Sequence, residues 1–182
     1  MNDKEMVMRA KKDISAFDAL YEEYMPRIFR FVKLRVQQRD VAEEIVSNVF
    51  FKAMSKINLF RWQSIPFSAW LYRIAISEIS NYFRKEKKIK KIEDVYIREE
   101  SIPKSETNNF SLSFIHKYIN ELSQKDQDLI TLRFFEKKSF AEISAILGKK
   151  ENTLRVNIHR ALKKLENLIP QEVLEDVYRK VS

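Results

Sequence analysis

The stretch Ser139–Ile169, S-F-A-E-I-S-A-I-L-G-K-K-E-N-T-L-R-V-N-I-H-R-A-L-K-K-L-E-N-L-I, reads as two helices joined by a sharp turn. Ser139 with Glu142 three residues on is a capping box, each side chain satisfying a free backbone N–H at the helix start. Phe140, Ile143 and Leu147 fall on one face at helical spacing. Gly148, the only glycine of the chain, stands where a helix needs a left-handed residue to stop. The second helix repeats its apolar face at Leu154, Ile158, Ala161, Leu162, Leu165 and Leu168. Its other face carries Asn152, Thr153, Arg155, Asn157, Arg160, Lys163 and Lys164. Short helix, tight turn and a second helix with amide and basic groups outward is the helix-turn-helix design for duplex DNA. An ordinary helical hairpin with a solvated basic face fits the same spacing.

Working outward, breakers are scarce: one glycine and four prolines in 182 residues leave little for tight β-turns and point to an all-α protein. A hydrophobic content of 45% supports packed cores. The formal charge is +8 and the pI about 9.5. The excess clusters at Arg27, Arg30, Lys33, Arg35 and Arg39, and again at Arg84, Lys85, Lys87, Lys88, Lys90 and Lys91. Clustered positive charge suggests a polyanion, with nucleic acid ahead of membrane. With no cysteine there is no disulfide or thiolate zinc site, and no metal or cofactor is expected. The N-terminus lacks an apolar signal core, and no run approaches the roughly 20 apolar residues that span a bilayer. The cytoplasm is the expected location.

Upstream, Phe17, Leu20, Tyr21, Tyr24, Ile28, Phe31 and Val32 recur every three or four residues, and Pro26 inside this pattern either kinks the helix or divides it. A second helix carries Val41, Ile45, Val46, Val49, Phe50, Ala53 and Met54, with Asp40, Glu43 and Glu44 in its first turns, where the helix dipole favours negative charge. No histidine accompanies these carboxylates, so they read as an exposed docking surface for a basic partner rather than a catalytic group. Asn58–Pro66, N-L-F-R-W-Q-S-I-P, is an aromatic loop. Either Phe60 and Trp62 pack onto the core, or they form a stacking platform for unpaired bases. A third helix runs from about Phe67 into the basic run, with Tyr72, Tyr82 and Phe83 beside Arg73, Arg84 and Lys85; cations that track phosphates and rings that stack on bases suit a single strand. The charged stretch that follows reads as a flexible tether. Residues 1–16 are an N-terminal extension, 17–88 a first helical domain, 89–110 the linker, 111–169 the helix-turn-helix domain and 170–182 a tail.

Three motifs together resemble the extracytoplasmic-function group of bacterial RNA polymerase sigma factors. They are D-V-A-E-E-I-V-S-N-V-F-F-K-A-M at Asp40–Met54, F-S-A-W-L-Y-R-I-A at Phe67–Ala75, and L-S-Q-K-D-Q-D-L-I-T-L-R-F-F-E from Leu122 with the helix-turn-helix behind it. The resemblance implies two helical domains, no enzymatic activity, and a protein that binds core RNA polymerase, directs it to promoter DNA and helps melt the −10 region. It implies polymerase contacts at Asp40, Glu43, Glu44, Asn48, Phe50 and Phe51. The Asn58–Pro66 loop would receive a flipped −10 base, so Asn58, Phe60, Arg61, Trp62, Gln63, Arg73, Tyr82, Arg84 and Lys85 are the −10 set. Asn152, Thr153, Arg155, Val156, Asn157, His159, Arg160 and Lys163 are the −35 set. Many such factors are held by an anti-sigma factor.

The chain departs from the family pattern at Ser47-Asn48, at Ile76-Ser77, at the recognition-helix cap Lys150 and at Val156-Asn157. The last two point to an unusual −35 preference. Two other readings stand beside this one. A helix-turn-helix regulator that never engages polymerase leaves the acidic helix start and the aromatic loop unexplained. An enzyme acting on nucleic acid finds little support, since His116 and His159 lie far apart and no phosphate-cradling glycine loop is present.

Overall fold

In the computed structural model, residues 2–36, 38–62, 65–96 and 112–170 are described. Among them every regular element is helical. The order is α1 (Asp3–Lys12), a 3-10 turn (Ile14–Phe17), α2 (Asp18–Val36), α3 (Arg39–Ser55), a 3-10 turn (Ile57–Leu59) and α4 (Phe67–Tyr96). Then come α5 (Leu112–Glu121), α6 (Gln124–Ile130), a π-helical turn (Thr131–Phe135), α7 (Phe140–Leu147) and α8 (Glu151–Leu168). Gln63, residues 97–111, which hold most of the expected linker, and residues 171–182 of the expected tail lie outside the described residues.

The first half is built on α2. Its buried positions Leu20, Tyr24, Ile28, Phe31 and Val32 repeat at helical spacing and face α3 and α4. Pro26 does not divide the helix, which runs unbroken from Asp18 to Val36. Residues 1–16, an extension by sequence, carry α1. Asn2 and Glu5 close a capping box at its start, and Met6, Val7 and Ala10 are buried in the same core as α2. The Tyr24 hydroxyl donates to Asp3, and the Lys11 ammonium donates to the Phe60 carbonyl at 2.6 Å, so α1 is tied to both α2 and the aromatic loop. Burial and the Asp3 bond together push the Tyr24 phenol well above its ordinary range.

The second half starts from two caps. Ser123 accepts from the Asp126 N–H at the head of α6, and Ser139 accepts from the Glu142 N–H at 3.2 Å while Glu142 accepts from the Ser139 N–H at 2.8 Å. Gly148 ends α7 at φ 66°, as the sequence requires, and a Cβ there would touch nothing within 4 Å, so its role is backbone conformation alone. Lys150 starts α8 without a side-chain capping bond.

Apolar packing is continuous between the halves. Leu129, Leu132, Ile143 and Ile146 join the core that holds Phe31, Leu71 and Tyr72, while Ile119, Leu122, Ile130 and Ala161 form a smaller cluster inside the second half. Polar groups reinforce the seam. Arg35 of α2 donates to Asp128 at 3.0 Å and to Gln127 of α6. Arg30 grips Glu136 through two bonds of 2.8 and 3.0 Å, and the Tyr72 hydroxyl donates to the same carboxylate at 2.7 Å. Two members of the run of cations expected to meet a polyanion are thereby withdrawn from it: Arg35 is buried against Asp128 and Arg30 is held by Glu136, while Arg27 and Arg39 stay exposed beside Glu23 and Glu43.

Candidate polymerase-docking and DNA-binding faces

The first face lies at the head of α3. Asp40, Glu43, Glu44 and Asn48 are all exposed along one side of the helix. Glu43 is paired with Arg39 at 2.8 Å in the i, i+4 relation, a contact that stiffens the turn more than it neutralises the face. Phe51 stands out with 62% of its surface exposed, a large apolar group without a cover on this chain. Phe50, assigned to the same contact set by resemblance, points the other way: it is 4% exposed and meets Phe17 and Tyr21 edge-on at 6.5 and 4.8 Å. Consecutive residues on a helix are about 100° apart, which here turns Phe50 into the core while Phe51 faces outward. Between α2 and α3 the surface opens into an apolar groove of about 570 Å3, with Tyr21, Met25 and Phe29 on one wall and Val46, Phe51 and Met54 on the other. The α2 wall was missed by sequence reasoning; Met25 and Phe29 lie off the buried stripe, and apolar residues on two faces of one helix were the available signal.

The second face is the aromatic loop with α4. Phe60 is 3% exposed and packs against Trp62, Phe67 and Trp70 with centroids 5.1–5.4 Å apart. It is therefore a brace under the loop and not a free stacking platform, which is the packing alternative of the sequence reading. Trp62 is half-buried, and its indole Nε1 is buried with no hydrogen-bond partner among the described residues. Asn58 and Arg61 are exposed, and Arg61 donates to the Asn58 carbonyl at 3.2 Å. Gln63 lies outside the described residues. Arg84 and Lys85 are exposed farther along α4, Arg84 donating to Asn81 at 3.0 Å. Two members of the set sit elsewhere. Tyr82 lies in the field of Asp40 and Glu44; burial, a bond to Glu86 and those carboxylates push its phenol up to about 12. Arg73 donates to the Ala145 and Ile146 carbonyls of α7 at 2.6–3.0 Å.

The third face is α8. Asn152, Thr153, Arg155, Val156, His159, Arg160 and Lys163 are exposed, Asn157 is half-buried, and Leu154, Ile158 and Ala161 are buried beneath them. The helix thus turns its apolar side to α6 and α7 and its polar side outward, the disposition that lets a helix enter a major groove. The Arg155 guanidinium stacks on the Phe140 ring at 4.3 Å and approaches Glu151 at 3.7 Å, so it is pre-placed near the helix start. Among the described residues no cluster of histidine, cysteine and carboxylate groups could hold a metal. No described helix is long and apolar enough to cross a membrane.

An exposed acidic helix start, an aromatic loop leading into α4, and a helix-turn-helix with an outward polar face make up a two-part helical protein. Comparison with known proteins gives the family. Residues 20–89 match Sigma-70 region 2 and residues 115–165 match Sigma-70 region 4. Over 183 aligned residues the chain is 30% identical to the ECF RNA polymerase sigma-E factor of Escherichia coli, covering 93% of this chain and 95% of that one. It is 29% identical over 174 residues to the ECF RNA polymerase sigma factor BldN of Streptomyces coelicolor, spanning 92% of this chain and 66% of that longer protein. Its fold is similar to that of the Bartonella quintana sigma factor RpoE solved with the anti-sigma factor NepR, at a TM-score of 0.65, with 25% identity and 84% and 95% of the two chains covered. The chain belongs to the extracytoplasmic-function RNA polymerase sigma factors. It is a transcription initiation factor, acting with core polymerase at promoter DNA.

Proposed function

We propose that this sigma factor divides its work among the three faces. The outer side of α3, with Asp40, Glu43, Glu44, Asn48 and Phe51, docks on the polymerase; Phe50 supports that side from within. Asn58, Arg61, Trp62 and the exposed cations of α4 hold the unpaired −10 strand, Arg73 joining them when it is free of α7. Arg155, Arg160 and their neighbours read the −35 duplex. The reaction is promoter recognition and opening, with no covalent step, and it takes place in the cytoplasm. An anti-sigma factor, the kind of partner found with the Bartonella quintana relative, is proposed to compete for the same surfaces.

The observation that carries the docking assignment is the opposition of two adjacent rings, Phe51 at 62% and Phe50 at 4% exposure. Replacing Phe51 by alanine removes an exposed ring and leaves folding intact, yet it weakens core polymerase binding by about 2 kcal/mol or more if the ring is an interface anchor. Replacing Phe50 by alanine costs about 3–5 kcal/mol of stability by emptying a buried site. Titration of both variants against core polymerase, with urea unfolding in parallel, separates the roles. Unchanged affinity for a folded Phe51→Ala protein would rule out this docking surface.

A further inference from the structure

Phe60 is the residue at which the chain leaves its helical turn and enters the aromatic loop. Its N–H still donates to the Ile57 carbonyl at 3.1 Å, but its own backbone is extended, at φ −64° and ψ 134°. The Phe60 carbonyl has therefore left the helical ladder and needs another donor. The Lys11 ammonium of α1 supplies it, at 2.6 Å. The Phe60 ring is pinned separately, buried among Trp62, Phe67 and Trp70. Ring and carbonyl are thus fixed from two different helices, α4 and α1. On either side of this fixed point the loop offers its accessible groups. Asn58 precedes it, Arg61 and the half-buried Trp62 follow it, and Arg61 donates to the Asn58 carbonyl across it at 3.2 Å.

The support beneath is firm. Asn2 and Glu5 cap the start of α1, Asp3 accepts from the Tyr24 hydroxyl of α2, and Met6, Val7 and Ala10 are buried. Lys11 stands in the last turn of this anchored helix, which closes with the Asp13 N–H on the Arg9 carbonyl at 2.8 Å. A charged donor on a backbone carbonyl in a half-buried site makes a stronger bond than a neutral pair.

We propose that Lys11 is a positioning residue for promoter recognition. By holding the Phe60 carbonyl it presets the course of the loop, so that Asn58, Arg61 and Trp62 meet the −10 base in one arrangement. The proposal rests on reading that loop as the receiver of the −10 base. Lys11 acts through Phe60 and not on the base. A loop already held in its bound course loses less freedom when the strand arrives. Its polar groups also discriminate between bases, because they cannot shift to suit each one. Released from Lys11, the Phe60 carbonyl turns to water and the rim residues adjust to different bases, so affinity and selectivity fall together.

The test uses the full chain assembled with core polymerase, and the single-stranded −10 non-template oligonucleotide of a mapped promoter with its single-base variants. Lys11→Met keeps the apolar stem and removes the donor, whereas Lys11→Arg keeps a cationic donor. Asp3→Asn loosens α1 at its other end, against Tyr24 and away from the loop. Arg61→Ala marks the position the loop receives, as the base whose preference it relaxes. Lys11→Met is expected to weaken binding of the preferred strand about tenfold and to narrow the gap between preferred and substituted bases at that position. Lys11→Arg is expected to recover both. Asp3→Asn is expected to keep the wild-type base preference, and all three are expected to keep wild-type affinity for core polymerase and the −35 duplex. A Lys11→Met protein that unfolds at lower urea yet keeps full base preference would overturn the positioning role. So would an equal loss for every base, the same loss from Asp3→Asn, or no recovery with Lys11→Arg. Base preferences indifferent to both Asn58→Ala and Arg61→Ala would overturn the loop reading and the proposal with it.

Discussion

The Arg35 guanidinium of α2 and the Asp128 carboxylate of α6 meet at 3.0 Å, 93 residues apart in the chain, with side chains 1% and 9% exposed. Burial draws both groups toward neutrality, lowering Arg35 and raising Asp128 against their mutual attraction. Gln127 and the Gln124 carbonyl complete the set of acceptors around Arg35, and Gln127 in turn donates to the carbonyls of Asn120 and Leu122. The seam is thus joined by a satisfied buried polar network, which fixes one arrangement of the halves more than it adds stability.

Removing one member leaves its partners dry and unpaired. Arg35→Ala is expected to lower unfolding stability by roughly 3–5 kcal/mol, while Arg35→Met combined with Asp128→Leu recovers most of the loss by replacing charges with packed apolar groups. Urea unfolding midpoints of the three proteins check this.

At the helix-turn-helix the two ends of the turn should respond in opposite directions. Gly148→Ala forces a Cβ into a left-handed position and is expected to cost about 1–2 kcal/mol. Lys150→Ser supplies the missing side-chain cap of α8 and is expected to stabilise by about 1 kcal/mol. Thermal unfolding of the single variants measures both.

Acid should loosen the same motif. Burial works to raise the Glu142 carboxyl, but its bonds to Ser139 and Lys138 outweigh this and hold it below the ordinary carboxylate range. A depressed carboxylate contributes stability that is present above its unfolded value and lost as pH falls through the folded one. The Glu142 contribution is therefore intact near neutrality, begins to fall as pH drops past the ordinary glutamate value of about 4.3, and is gone once pH is below the depressed folded value. Unfolding of wild type and Glu142→Gln across pH 3 to 7 should converge at the acid end and diverge at neutrality.

Arg155 tests the DNA face. Arg155→Ala removes a stacked, exposed cation and should weaken −35 duplex binding by about 1–3 kcal/mol if the contact is a bidentate one to a base, with relaxed preference at that base pair. A uniform loss across sequences with a shallower salt dependence would assign it to phosphate instead. Equilibrium binding to a set of single-base variants at two salt concentrations distinguishes these.

Much of this was legible in the sequence because local rules decided it. The Ser139–Glu142 capping box, the Gly148 stop and the alternation of Leu154, Ile158 and Ala161 with outward polar residues each depend on neighbours a few positions away. The polar face of α8 followed from them, and the all-α fold from the scarcity of glycine and proline. What was not legible depends on pairs far apart in the chain. Arg30 and Arg35 look like surface cations until Glu136 and Asp128 arrive from about a hundred residues away. Phe50 already falls on the apolar stripe of α3, and the resemblance that set it beside Phe51 as a docking residue could not show that it packs on Phe17 and Tyr21. The role of α1 was missed for the same reason, because Lys11 matters only once the Phe60 carbonyl is brought to it.

Run-off transcription with bacterial core polymerase is the most direct test of the whole account. Start sites are first mapped in cells that overproduce the protein, and a template carrying one such promoter is then transcribed in vitro. The account predicts a discrete transcript that requires the protein, is lost when either the −10 or the −35 element is scrambled, and falls sharply with Phe51→Ala or Arg155→Ala. A protein that copurifies with core polymerase at no salt concentration, or a template transcribed equally with and without it, would contradict the account.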